Sequence, residues 1–254
     1  MLQKALLRIA VGMAALAFGA SPSKAALVEF DFGNNPSTAP SGCVHAAGQP
    51  GAVCGSTLTF DGTSAGLGTL TAQSSNGAPG SVSGFLTYKP ENNGFLGIPG
   101  NGLSESGLGE SSSATTCTDS GSDCEIGPGA SVAVSSTVPL GELDLRVGSA
   151  QPGEEFSILT ASALGGPYTA LTAPGGGTIF NPGTNITCPG DVCTIMLPGV
   201  NVVAVESLAS GGGENVLVTS VSGNFTGVPE PASLALLGTA LAGLGWGVRR
   251  RKNR

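Results

Sequence analysis

The chain is 254 residues long, and its 42 Gly and 17 Pro make up nearly a quarter of it. Hydrophobic residues reach 40% and charged residues only 11%, which excludes a long disordered chain; so much Gly excludes a largely helical domain, since Gly costs about 1 kcal/mol per helix position. The net charge of −7 hides an asymmetry: between Ala26 and Val228 sixteen acidic residues face two basic ones, Lys89 and Arg146, so this stretch is near −14 and repels nucleic acid.

At the N-terminal end, Met1 to Arg8 carries Lys4 and Arg8, and Ile9 to Ala20 is apolar and uncharged. Ser23-Lys24-Ala25 then places small residues at the two positions a signal peptidase reads, so residues 1–25 are expected to be a secretory signal peptide.

The body, residues 26–227, is mostly patterned at period two. Val28, Phe30 and Phe32 alternate with Glu29 and Asp31, and Leu143, Leu145 and Val147 alternate with Glu142, Asp144 and Arg146. Val132 and Val134 repeat the pattern, Val216 and Val218 precede Val221, and short runs follow at Ser56 to Phe60, Ser81 to Tyr88, Glu155 to Thr160, Thr194 to Leu197 and Asn201 to Val205. Gly, Pro, Asn and Ser clusters separate them. About nine or ten short antiparallel strands are therefore expected, forming a single all-β domain, a two-sheet sandwich with a jelly roll as one arrangement of it. Asn34 to Gly51 and Asn92 to Gly129 are polar and Gly-rich and are expected to be loops.

Six cysteines, Cys43, Cys54, Cys117, Cys124, Cys188 and Cys193, lie in the body as three close pairs. Fifteen connectivities are open, local pairing being the most economical, and an oxidising compartment favours disulfides. Zinc is disfavoured, because no Cys-x-x-Cys occurs and His45 is the sole histidine. Any nucleophile that needs an imidazole base must use His45, which falls in an expected loop beside Cys43 and reads as a solvated residue. No catalytic residue is assigned.

Paired carboxylates would suffice for glycoside hydrolysis, and Glu105, Glu110, Glu154 and Glu155 are available. The densest acidic region, Glu105 and Glu110 followed by Asp119, Asp123 and Glu125, supplies hard oxygen ligands that suit Ca²⁺, without the spacing of an EF-hand. No other cofactor is expected. For carbohydrate stacking the body has only Tyr88 and Tyr168 as amphipathic rings, since the single tryptophan, Trp246, lies downstream of it.

Residues 232–248 are uncharged and rich in Ala, Leu and Gly, a stretch of about 17 residues or roughly 25 Å as a transmembrane helix. Arg249, Arg250, Arg251, Lys252 and Arg254 follow, which would keep that end cytoplasmic. Immediately before the apolar stretch stands Val228-Pro229-Glu230-Pro231. Pro-Glu-Pro, a short apolar helix and an Arg-rich tail together resemble the PEP-CTERM sorting signal, over residues 228–254.

That resemblance implies recognition by exosortase, a membrane-embedded cysteine protease, removal of the tail, and delivery to the extracellular polymeric matrix of a Gram-negative bacterium. Pro229, Glu230 and Pro231, with Arg249, Arg250 and Arg251 behind the helix, would be sorting residues and not catalytic ones. In the body, Gly107-Leu108-Gly109 followed by Glu125-Ile126, and Gly148-Ser149-Ala150-Gln151 before Gly153-Glu154, are similar to stretches that recur in PEP-CTERM proteins, with no role attached. The expected partners are signal peptidase, exosortase, the membrane before processing, and exopolysaccharide afterwards. The function expected is that of a secreted, non-enzymatic matrix or biofilm protein that binds polysaccharide; the alternative is a secreted glycan-active hydrolase or lyase using paired carboxylates.

Overall fold

The computed structural model describes residues 28–34, 43–45, 50–63, 67–91, 101–117, 124–138, 142–208 and 215–223. They fall within one compact unit, residues 27–224. The expected signal peptide and sorting segment lie outside the described residues, as do Asp119 and Asp123. No helix among the described residues is long and apolar enough to cross a membrane.

In chain order the strands are β1 (Val28–Asp31), β2 (Val44–His45), β3 (Ala52–Val53), β4 (Thr57–Gly62) and β5 (Gly68–Ser75). There follow β6 (Phe85–Lys89), β7 (Gly107–Ser111), β8 (Ser131–Ser136), β9 (Glu142–Gly148) and β10 (Phe156–Ala161). The last are β11 (Thr169–Ala170), β12 (Ile179–Phe180), β13 (Cys193–Pro198), β14 (Val202–Ser207) and β15 (Leu217–Gly223), with one turn of 3-10 helix at Pro189–Asp191.

These strands form two antiparallel sheets. The first has the order β13-β9-β15-β7-β6-β3-β2, with β1 joined to β15; the second has the order β11-β10-β14-β8-β5-β4, with β12 joined to β10. The core lies between them and draws on both: Phe30 and Phe32 on the β1 side meet Phe60 of β4 edge to face, at 5.8 and 5.2 Å between ring centres. Phe156 stacks on Phe180 at 5.6 Å. The fold is the β-sandwich the alternation implies.

Period two is kept where one face is wet. In β4 the pattern is strict, with Leu58 and Phe60 buried and Thr57, Thr59 and Asp61 exposed. β8 departs from it, because Ala133 is buried as well as Val132 and Val134. With Val202 and Ala204 of β14, Ala133 forms a second cluster on the other face of that sheet, packed by Leu159, Ala161, Leu164 and Tyr168.

Two expected loops are corrected. The stretch Asn92 to Gly129 contains β7, a strand buried along its whole length, and Asn34 to Gly51 contains β2. β7 reads Gly-Leu-Gly-Glu-Ser, and its glycines serve close approach in place of a turn: a Cβ on Gly109 would collide with the Cys124 carbonyl and stand 2.7 Å from the Glu125 Cα. β5 also lacked an apolar signature, yet it is a central strand bonded to β4 and β8.

Candidate functional site

The most concentrated polar chemistry sits where β6 and β7 meet the chain after Cys124. Lys89 closes β6 and is buried at 3% exposure. Its Nζ donates to Glu125 Oε1 at 2.6 Å and to Glu105 Oε2 at 3.3 Å. Glu125 is almost as buried as Lys89, whereas Glu105 reaches solvent. The Ser149 hydroxyl donates to the second Glu125 oxygen, Oε2, at 3.2 Å.

Local backbone explains the convergence. Cys124 and Ser149 both take left-handed φ values, 61° and 52°, unusual for residues with a Cβ and concentrated at sites the surrounding fold over-determines. The Cys117–Cys124 disulfide anchors the first of these turns, and Glu125 follows it directly. The Ser149 N–H donates to the Ser104 carbonyl at 2.7 Å, which joins the turn after β9 to the turn that carries Glu105. Gly107-Leu108-Gly109 with Glu125-Ile126, and the stretch from Gly148 to Glu154, thus meet in one place.

The electrostatics follow from burial. Desolvation pushes the Glu125 carboxyl up, against the pull of the Lys89 ammonium. Glu154 is raised to about 7, chiefly by burial; the N–H of Gln151, which bonds its Oε2 at 2.5 Å, opposes the rise, and Glu125 adds to it. At the neighbouring position of β6, burial holds the Tyr88 phenol up at about 12 while its hydroxyl donates to the Gly33 carbonyl at 3.3 Å. The other body cation, Arg146, binds Glu29 at 2.6 Å, and the Ser220 hydroxyl donates to the same oxygen at 2.6 Å.

Of the carboxylates expected to suit Ca²⁺, Glu105 and Glu125 do come together, but around an ammonium. Glu110 turns its side chain against Gly84 in the interior. Among the described residues no group of three or more His, Cys, Asp or Glu side chains is placed to hold a metal ion. His45 lies in β2 opposite Ala52, not in a loop. Glu155 accepts from the Asn181 side chain at 2.7 Å. Tyr88 is fully buried and so cannot serve as a stacking platform. Sequence reasoning missed Lys89 and Ser149 as partners of Glu125, because nothing local links positions so far apart.

The cysteines pair locally: Cys43–Cys54, Cys117–Cys124 and Cys188–Cys193, with no free cysteine among the described residues. Open clefts mark the surface among the described residues. One, of ≈ 320 Å³, is lined by Thr160, Ser162, Pro167, Thr169 and Asn201 among others; another, of ≈ 440 Å³, lies beside Arg146, Leu103 and Pro189.

Residues 227–252 match the family model of the PEP-CTERM protein-sorting motif. The chain carries a PEP-CTERM sorting signal. This PEP-CTERM segment implies processing by exosortase, with the export and membrane processing that such signals direct in Gram-negative bacteria. No curated protein and no solved structure matches the chain.

Proposed function

We propose that the processed body is a non-enzymatic protein of the extracellular matrix that stays with exopolysaccharide after exosortase has removed the tail. The observation that carries this reading is the PEP-CTERM motif at residues 227–252, joined to an acidic, disulfide-stapled sandwich. Three short disulfide rings suit an oxidising exterior, where a protein must persist without chaperones.

The candidate carboxylate pair supports the non-enzymatic reading. A glycosidase needs two carboxyl groups flanking a sugar with room for the scissile bond. Here Glu105 and Glu125 converge on Lys89, and Glu125 is buried. Glycan contact is better served by the cleft at Thr160, Ser162, Thr169 and Asn201, whose hydroxyl and amide groups can exchange hydrogen bonds with sugar hydroxyls, with Pro167 as an apolar surface. The hydrolase or lyase reading rests on one observation, the half-buried Glu154 with its carboxyl near 7, the range in which a general acid works.

One experiment separates the two. Exported protein is incubated with exopolysaccharide from the producing strain, and both sedimented protein and released oligosaccharide are measured. Co-sedimentation without new reducing ends is expected, with weaker retention for a Thr169→Ala, Asn201→Ala variant. Released oligosaccharides that disappear in Glu154→Gln would establish the enzyme in its place, and absence of both binding and products would remove the glycan from the proposal.

A further inference from the structure

Lys89 is the only lysine between Ala26 and Val228, and the fold places it in the interior. Lysine is almost never fully buried unless paired, and a buried ion pair adds little net stability over apolar residues of the same volume. What the arrangement does supply is a reacting set. An amine nucleophile lies 2.6 Å from one oxygen of a carboxyl group, a second carboxylate lies 3.3 Å from the same amine, and a hydroxyl donates to the far oxygen of the first carboxyl at 3.2 Å. We propose that Lys89 and Glu125 condense to form an intramolecular isopeptide bond, with Glu105 moving the protons and Ser149 steadying the oxygen that gains charge.

The step balances. Glu105 takes one proton from the Lys89 ammonium, and the freed Nζ lone pair attacks Cδ of the protonated Glu125 carboxyl. Charge gathers on Oε2, where the Ser149 hydroxyl already donates. As the carbon–oxygen bond to Oε1 breaks, Oε1 carries its own proton and takes a second from Nζ by way of Glu105, and one water leaves. The products are the Lys89–Glu125 amide, water and a protonated Glu105, which is exposed enough to return its proton to solvent. No oxidant, reductant or activated co-reactant is required.

Two physical conditions favour the forward direction. In bulk water amide condensation is opposed by the solvent, but here both reacting groups are buried, so the released water has nowhere to collect. Well-oriented neighbours react as if at about 10⁵–10⁸ M, which offsets the intrinsic reluctance of a carboxylic acid toward an amine. Burial also favours the neutral acid form of Glu125, the form from which hydroxide can depart as water. The bond would tie the end of β6 to the residue following Cys124, beside the Cys117–Cys124 disulfide, and unlike that disulfide it would survive reduction.

The test is the mass of the exported protein. Material purified from the producing bacterium is reduced, denatured, sequenced at both ends and weighed by intact-mass spectrometry. The expected mass is one water below that of the processed sequence with six thiols. Peptide mapping should find a branched peptide joining Lys89 Nζ to Glu125, and Lys89→Arg, which keeps the charge, should restore the missing water. A wild-type protein of full mass overturns the proposal, as does a lost water that maps elsewhere or persists in Lys89→Arg. Since the wild-type mass decides by itself, a variant that fails to fold leaves the result intact.

Discussion

At the residue scale, the carboxyl of Glu154 makes the clearest statement about pH. In the fold it is held near 7, above its ordinary value of 4.5, by burial. The folded protein therefore binds a proton more readily than the unfolded chain between those values, so this contribution is full below about pH 4.5 and is lost as pH rises through 7. The melting temperature is expected to fall between mildly acidic and mildly alkaline buffer. Glu154→Gln, which keeps an oxygen for the Gln151 N–H and cannot ionise, should flatten part of that fall. An unchanged slope in thermal scans of the variant would place the pH dependence elsewhere. Little of this was visible in the sequence: Glu154 was one acid among sixteen in the body, and only burial distinguishes it from Asp61, which is exposed and held low by Thr63.

At the scale of elements, alternation or a short apolar run exposed most strands, β8 and β14 among them although both bury residues on either face, and concealed β7. β4 and β9 could be read because their outward positions are polar or charged. β7 could not, because its residues are buried on both sides and two of its five are glycines chosen for contact with a neighbouring backbone. Gly109→Ala is accordingly expected to destabilise the body by about 1–3 kcal/mol through overpacking against Cys124 and Glu125, a drop of several degrees in melting temperature for a domain of this size. A melting point equal to wild type would mean that the chain after Cys124 can retreat from β7. The disulfides belong to this scale too, since each closes a short ring, with sequence separations of 11, 7 and 5. Each should contribute about 2–3 kcal/mol by restricting the unfolded chain. Thiol titration of the denatured, unreduced protein is expected to find essentially no free cysteine, and two or more titrating equivalents would break this scheme.

At the scale of the whole molecule, charge and processing are coupled. Cleavage near Val228 to Pro231, which removes the rest of the chain to Arg254, deletes Trp246 and five of the ten basic residues together. The mature body should therefore be strongly acidic and fluoresce through tyrosine alone, so the loss of tryptophan emission reports cleavage directly. Glu230→Ala is expected to leave the tail attached and the protein in the membrane fraction. A matrix-associated mature protein that keeps Trp246 would contradict processing at this site.

What the sequence by itself determined are the properties carried by neighbours along the chain: the period-two strands, the close cysteine pairs, the acidic body with its basic ends, and a sorting motif that is a contiguous string. Each depends on residues within a few positions of one another, so chain order is enough to read it. Only the tertiary structure decided that β7 is an internal strand, that Tyr88 is sealed in the core, and that Lys89 draws Glu105 and Glu125 to a single point with Ser149 behind them. The relations around Lys89 and Glu125 join residues 16, 24 and 36 positions apart. They exist because sheet pairing and desolvation bring distant polar groups together, and a buried ammonium must find its carboxylates wherever the packing of strands has put them.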